Sequence, residues 1–250
     1  MSGHSKWSTI KRKKGKADAQ KGVLFTKIIK DITLAAKEGG GNPDMNPKLR
    51  TALEVAKSAG MPKDNTERAI KRGTGELEGV SYEALNYEGY GPAGVAVLVE
   101  TVTDSKNRTT SEIRHIFAQH GGNLGSNGCV AWQFVDKGHI FIDKTEATEE
   151  KLIDVCIENG GDDVSLEEDI FVVTTPLDKF EAVKAALTKE NIKYKEAEIT
   201  KIPQTTIRVE SAKAAEQILK LMDELEAQED VQKAYANFDI PDEFLTAHQG

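Results

Sequence analysis

The hydrophobic period of this chain changes once, near residue 82, and that change limits what the chain can fold into. Before it, apolar residues recur every three or four positions; beyond it, segments of period two alternate with helical ones. Such a pattern predicts an α+β protein: a helical domain first, then sheets covered by helices. Leu24, Phe25, Ile28, Ile29, Ile32, Ala35 and Ala36 mark a first helix that Gly39-Gly40-Gly41 ends. Asn46-Pro47 restarts the chain as an N-cap and first-turn proline, and Gly60 stops the second helix. A third helix starts near Pro62, with Asp64 and Glu67 at capping-box spacing, and stops at Gly73.

Past residue 82 the order of elements carries the information. Residues 93–102 read as a central strand, apolar on both faces, followed by a helix and a strand at 129–134. Then come a strand at 138–142, a helix at 148–158, strands near 164–166 and 170–174, a helix at 176–190 and a strand at 194–199. This β-α-β-β-α-β order is that of a ferredoxin-like unit. Residues 204–240 add strand, helix and strand, completing with 93–134 a second such unit around the first. Expected domains are therefore 1–77, a basic arm with a helical domain; 78–134 plus 204–245, a discontinuous ferredoxin-like domain; and 135–203, an inserted one. Boundaries carry a few residues of slack.

Charge is as polarised as the pattern. Residues 1–75 hold 17 Lys/Arg against 7 Asp/Glu, a net of +10, while the remainder carries −18. The first thirty residues have nine cations and one acid, Asp18. A cationic head on an anionic body has a polyanion as its natural partner. Lys11-Arg12-Lys13-Lys14, with Lys6, Lys16, Lys21 and Lys27, reads as a nucleic-acid arm that gains affinity by displacing counterions from phosphate. Arg68, Lys71 and Arg72 form a second cationic group, which also complements a helix C-terminus. Trp7 either stacks on a base or anchors the arm on the helical domain. Lys106 and Arg108, at a helix start, mark a possible anion site; the competing expectation is that Asp104 or Ser105 merely caps that helix.

Catalytic chemistry has no comparable signal. The glycine-rich 121–128 segment lacks the Gly-Lys-Ser/Thr ending of a phosphate loop and reads as a turn. His115 and His120 stand five apart, on different helix faces, unlike a zinc-binding pair. Cys129 and Cys156 sit alone in apolar surroundings, in keeping with a reducing compartment, the cytoplasm. No apolar run approaches the roughly 20 residues that cross a bilayer. No enzyme activity, cofactor, metal, small-molecule substrate or membrane partner is expected.

Several phrases resemble the YebC/PmpR family. They are Gly3-His4-Ser5-Lys6-Trp7, Asp18-Ala19-Gln20-Lys21-Gly22, Asn46-Pro47-Lys48-Leu49-Arg50, Met61-Pro62-Lys63-Asp64-Asn65, Tyr87-Glu88-Gly89-Tyr90-Gly91-Pro92 and Gly121-Gly122-Asn123-Leu124-Gly125. Ala93 stands where the family pattern has glycine, and Ser105 where it has asparagine. The resemblance implies three domains without enzymatic activity. Members have been described as cytoplasmic DNA-binding transcriptional regulators and have also been tied to the ribosome and to synthesis of difficult stretches such as proline runs. The sequence shows no helix-turn-helix recognition helix, zinc finger or zipper. The expectation is thus a translation factor on ribosomal RNA, with a DNA-binding transcriptional regulator as the alternative.

Overall fold

The structure is a computed structural model describing residues 18–241 and 243–244, with side chains described from residue 21. It falls into two compact units: one holds the N-terminal helices and a first sheet, and the other, residues 132–206, interrupts it.

In the first unit the three expected helices are α1 (Asp18–Gly39), α2 (Pro47–Ser58) and α3 (Lys63–Gly73). Ile28, Ile32, Ala35 and Ala36 of α1 pack with Leu49, Ala56 and Ala69 in one core. Asn46 joins two helices through one buried amide. Its Oδ1 accepts from Leu49 N at the start of α2, while its Nδ2 donates to Ala35 O (2.8 Å) and Gly40 O (2.9 Å) at the end of α1. Orphan groups of both termini are thereby satisfied. The expected capping box on α3 does not form. Pro62 holds the N-cap, Asp64 lies inside the first turn, and Glu67 pairs instead with Lys63.

The first sheet has the order β3-β1-β2-β9, antiparallel throughout, from β1 (Glu83–Tyr90), β2 (Ala96–Thr103), β3 (Asn123–Leu124) and β9 (Val231–Ala236). Helices α4 (Lys106–Gln119) and α7 (Ala212–Ala227) bury Ile113, Phe117, Ile218, Leu221 and Met222 in this unit. As expected, β2 is central and buried on both faces.

Two strand assignments from the sequence are corrected. The sheet takes β1, which precedes β2, as one of its four strands in place of the segment near 206–209. That segment is only β8 (Ile207–Arg208), which leaves the sheet and pairs in parallel with β10 (Phe238–Asp239). Residues 129–133 form no strand, because the amides of Val130 and Ala131 are taken by the buried Glu88 carboxylate (2.7 Å each) instead of a neighbouring strand.

The second unit runs β4 (Phe134–Asp143), α5 (Glu149–Glu158), β5 (Asp163–Glu167), β6 (Ile170–Thr175), α6 (Phe180–Lys189) and β7 (Glu196–Pro203). Its antiparallel order, β5-β6-β4-β7, is that of a ferredoxin-like sheet. Both helices pack on the face carrying Ile140, Ile142, Phe171 and Val173.

Candidate nucleic-acid interface

Of the cations expected on phosphate, Lys6, Lys11, Arg12, Lys13, Lys14 and Lys16, with Trp7, lie outside the described residues. The others divide into exposed and committed groups.

The exposed group is on α3. Arg68, Lys71 and Arg72, spaced i, i+3 and i+4, share one flank of the helix, and all three side chains are exposed. None makes an ion pair among the described residues. The stem of Arg72 lies beside Gly79, where a Cβ would meet its Cδ at 3.3 Å. Packing of that stem leaves the guanidinium at the surface. Lys21 at the start of α1 is also exposed, its Nζ 5.7 Å from the centre of the Phe25 ring.

The committed group surrounds Asp230, whose side chain is 2% exposed. Oδ1 accepts from Lys30 Nζ at 2.5 Å, and Lys30 is buried as well. Oδ2 accepts from Arg108 Nη2 at 2.9 Å and from the Thr109 hydroxyl at 2.7 Å. Burial opposes ionisation of Asp230. The donors from Lys30, Arg108 and Thr109 outweigh it and hold the carboxyl well below the usual carboxylate range. Lys30 also donates to Glu229 O (3.0 Å), and Lys27 to Glu226 O (2.6 Å). Helix α1 is thus fastened to the end of α7 and the turn before β9 by two lysines, one of which, Lys27, was expected on phosphate.

At the possible anion site, Arg108 is divided between Asp230 and Asp104 (2.8 Å). Hydrogen bonds to these two carboxylates raise its pKa further. Lys106 beside it is exposed. Neither expected cap forms on α4: Ser105 occupies the N-cap position without a side-chain bond, while its amide donates to Thr103 Oγ1 (2.9 Å). An arriving anion would meet one free lysine and a guanidinium already neutralised.

The glycine-rich segment turns at Gly121 and again at Asn127-Gly128, with β3 between the two turns, and the amides of Gly121, Gly122, Gly125 and Gly128 are occupied. The Glu88 carboxylate accepts from Gly128 N (2.6 Å) as well as Val130 and Ala131. Burial raises the Glu88 pKa, but the three amides outweigh it and bring it below its ordinary value. A loop that elsewhere could cradle phosphate here holds an internal carboxylate. Sequence inspection missed both Glu88 and Asp230. The partners of Glu88 lie 40–43 residues away and those of Asp230 121–200, and no local spacing signals them.

Among the described residues, the remaining His and Cys side chains form no catalytic arrangement. His120 pairs with Glu224 at 2.5 Å. Burial pushes both the Cys129 and Cys156 thiols up, away from a reactive thiolate. Among the described residues, no group of three or more His, Cys, Asp or Glu side chains could hold a metal. Nor is any helix among them long and apolar enough to cross a membrane.

Comparison with known proteins extends the resemblance seen in the sequence. Residues 5–76 match the model of the TACO1/YebC protein N-terminal domain, and residues 82–238 that of the TACO1/YebC second and third domain. A probable transcriptional regulatory protein of Syntrophobacter fumaroxidans is 60% identical over 245 residues, 98% of each chain. One of Dictyoglomus turgidum is 54% identical over 246 residues, again 98% of each. Among solved structures, the hypothetical protein Aq1575 of Aquifex aeolicus matches with a TM-score of 0.82 at 47% identity. That match covers 91% of this chain and 93% of the other.

Proposed function

The chain belongs to the TACO1/YebC family, and from that premise we propose that it is a non-enzymatic, cytoplasmic, nucleic-acid-binding regulator of gene expression that acts on the ribosome. Its task is that of a translation factor, relieving stalls on difficult stretches such as proline runs. Lys6, Lys11, Arg12, Lys13, Lys14, Lys16 and Lys21 hold phosphate, Trp7 stacks beside them, and Arg68, Lys71 and Arg72 extend the grip. Lys27 and Arg108 serve mainly to fasten the fold.

The observation that carries this reading is the position of the free cations on α3. In a helix-turn-helix reader, the N-terminal residues of the recognition helix reach the base edges. Here that end carries Asp64 and a Lys63–Glu67 ion pair, while the cations without an ion pair among the described residues gather in the later turns. Such a surface contacts backbone and shape rather than sequence.

A second reading, a DNA-binding transcriptional regulator, also has support. The relatives bear that description. Helices α2 and α3 are joined by only residues 59–62, with Gly60 at φ +71°, as in a helix-turn-helix pair.

Equilibrium binding to ribosomes, a promoter duplex and a random duplex across a salt series decides between them. The ribosome reading expects tight ribosome binding and equal, weak binding to both duplexes. With about six phosphate contacts, log affinity falls by roughly 4–5 per decade of salt. A promoter preference that survives physiological salt establishes the DNA reading instead.

A further inference from the structure

Two helices cover one side of the sheet in the second unit, and their outer faces differ. On α6 the exposed positions are Glu181, Ala182, Ala185, Thr188 and Lys189, small or polar throughout. On α5, Leu152, Val155 and Cys156 already form the buried face, yet Ile153 and Ile157 are 36% and 69% exposed. They stand one turn apart and make a single apolar ridge along the outside of the helix. A lone exposed isoleucine needs no explanation, whereas a ridge of two beside a completed core face does.

Acids border this ridge. Glu149 heads it, and Glu150, Asp154 and Glu158, spaced i, i+4 and i+8, form the next ridge alongside. All four are exposed, and none makes an ion pair or a side-chain hydrogen bond among the described residues. The unit has few cations to offer them: residues 132–206 hold nine lysines and no arginine against 17 Asp/Glu. Seven of those lysines pair with other carboxylates. Lys151, the one cation of α5 itself, pairs with Glu190 at 3.2 Å. The helix therefore presents an apolar ridge next to a ridge of unneutralised negative charge.

We propose that this face binds a lysine- or arginine-rich amphipathic helix of a partner protein. Apolar residues of that helix, spaced i and i+4, pack beside Ile153 and Ile157, and its adjoining cations lie over Glu150, Asp154 and Glu158. Charge excludes the other occupants. Phosphate, whether of nucleic acid or of an anionic lipid surface, is repelled here. The α5 of a second copy would set acid against acid. The cationic flank of α3 in a second copy would bring charge but no exposed large apolar side chain. Binding at α5 does not require the proposed nucleic-acid function, because the residues that would hold phosphate lie elsewhere in the chain.

The test titrates the full chain with a synthetic helical peptide of about 15 residues, long enough to hold helical structure. It carries two leucines one turn apart and lysines along the adjoining stripe. Calorimetry reads affinity, and amide exchange locates the bound peptide. The native chain is compared with Ile153→Ser plus Ile157→Ser, with Glu150→Lys plus Asp154→Lys, and with Ala185→Ser on α6 as a control; thermal unfolding verifies that each folds. The peptide should slow exchange over residues 149–158. Both α5 variants should weaken it severalfold, and the α6 control should leave it unchanged. Replacing the leucines with alanine should also weaken it severalfold. A peptide with glutamate for lysine should regain affinity on the Glu150→Lys plus Asp154→Lys chain. Equal affinity in all four chains, protection outside α5, or indifference to the leucines overturns the proposal. So does self-association of the peptide-free chain that is lost in Ile153→Ser plus Ile157→Ser, which assigns the ridge to a second copy. If the peptide binds as described while the chain ignores ribosomes and duplexes, the proposal stands and the proposed function falls.

Discussion

At the scale of single residues, Asp230 concentrates the most consequence, because its two oxygens hold Lys30, Arg108 and Thr109 together. Asp230→Ala strands a buried ammonium; the expected cost is about 3–5 kcal/mol, read as a lowered urea midpoint. The carboxyl's pKa is depressed on folding. The stability it supplies is therefore present above the unfolded value, about 3.9, and is lost as pH falls below it. Asp31 behaves in the opposite sense. Burial pushes its pKa up to about 7, against the partial pull of Lys233 and Lys27. As pH climbs from about 4 to about 7, the unfolded chain releases this proton while the folded one keeps it, so stability falls across that window and levels off above it. Asp31→Asn should flatten the slope of Tm against pH between those values and raise Tm at pH 8; an unchanged profile contradicts the assignment. Ala93 is a smaller case. It sits at φ 57°, in the left-handed region that disfavours a Cβ, at the position where the family pattern has glycine. Ala93→Gly should stabilise by about 0.5–1 kcal/mol in the same urea titration, relief of strain exceeding the added freedom of the unfolded chain.

At the scale of elements, close approach decides more than periodicity. Gly73 ends α3 against α1, where a Cβ would fall on Thr33 O and lie 2.7 Å from the Ala36 Cβ. Gly73→Ala should cost about 1–3 kcal/mol by overpacking and should loosen the α1–α3 pair first, seen as faster amide exchange there than in β4 and β6. Helix α1 was legible in advance because its apolar stripe from Leu24 to Ala36 ends at Gly39-Gly40-Gly41, whereas α3, with only Ala69 and Ile70 apolar, was marked by Pro62 and Gly73 at its ends. Strand β1 was less so: Glu83-Ala84-Leu85-Asn86 carries no β-branched residue, and burial is confined to Tyr87, Glu88 and Gly89. Its place in the sheet depends on pairing with β2 across the Gly91–Val95 turn. Val130, apolar and fully buried, looked like part of a strand, yet Glu88 rather than a ladder receives its amide. Local pattern reports burial; it does not report which partner satisfies the backbone.

At the scale of the whole molecule, the charge split along the chain was plain in the sequence, and the α+β architecture followed from the order of elements. Which cations remain free was not legible. Lys27 and Lys30 differ little in sequence from Lys21, yet carbonyls and a carboxylate from the end of α7 and the turn before β9 claim them. Only long-range packing makes that distinction, and it reduces the described residues proposed to hold phosphate to Lys21 and the flank of α3. In the proposed function, this positive end grips RNA through its phosphates. The most direct measurement is the salt dependence of ribosome binding, compared between the native chain and one with Lys11, Arg12, Lys13 and Lys14 replaced by glutamine. Losing four phosphate contacts should lower the slope of log affinity against log salt by about 3–4 and weaken binding most at low salt. An unchanged slope and affinity would contradict the account.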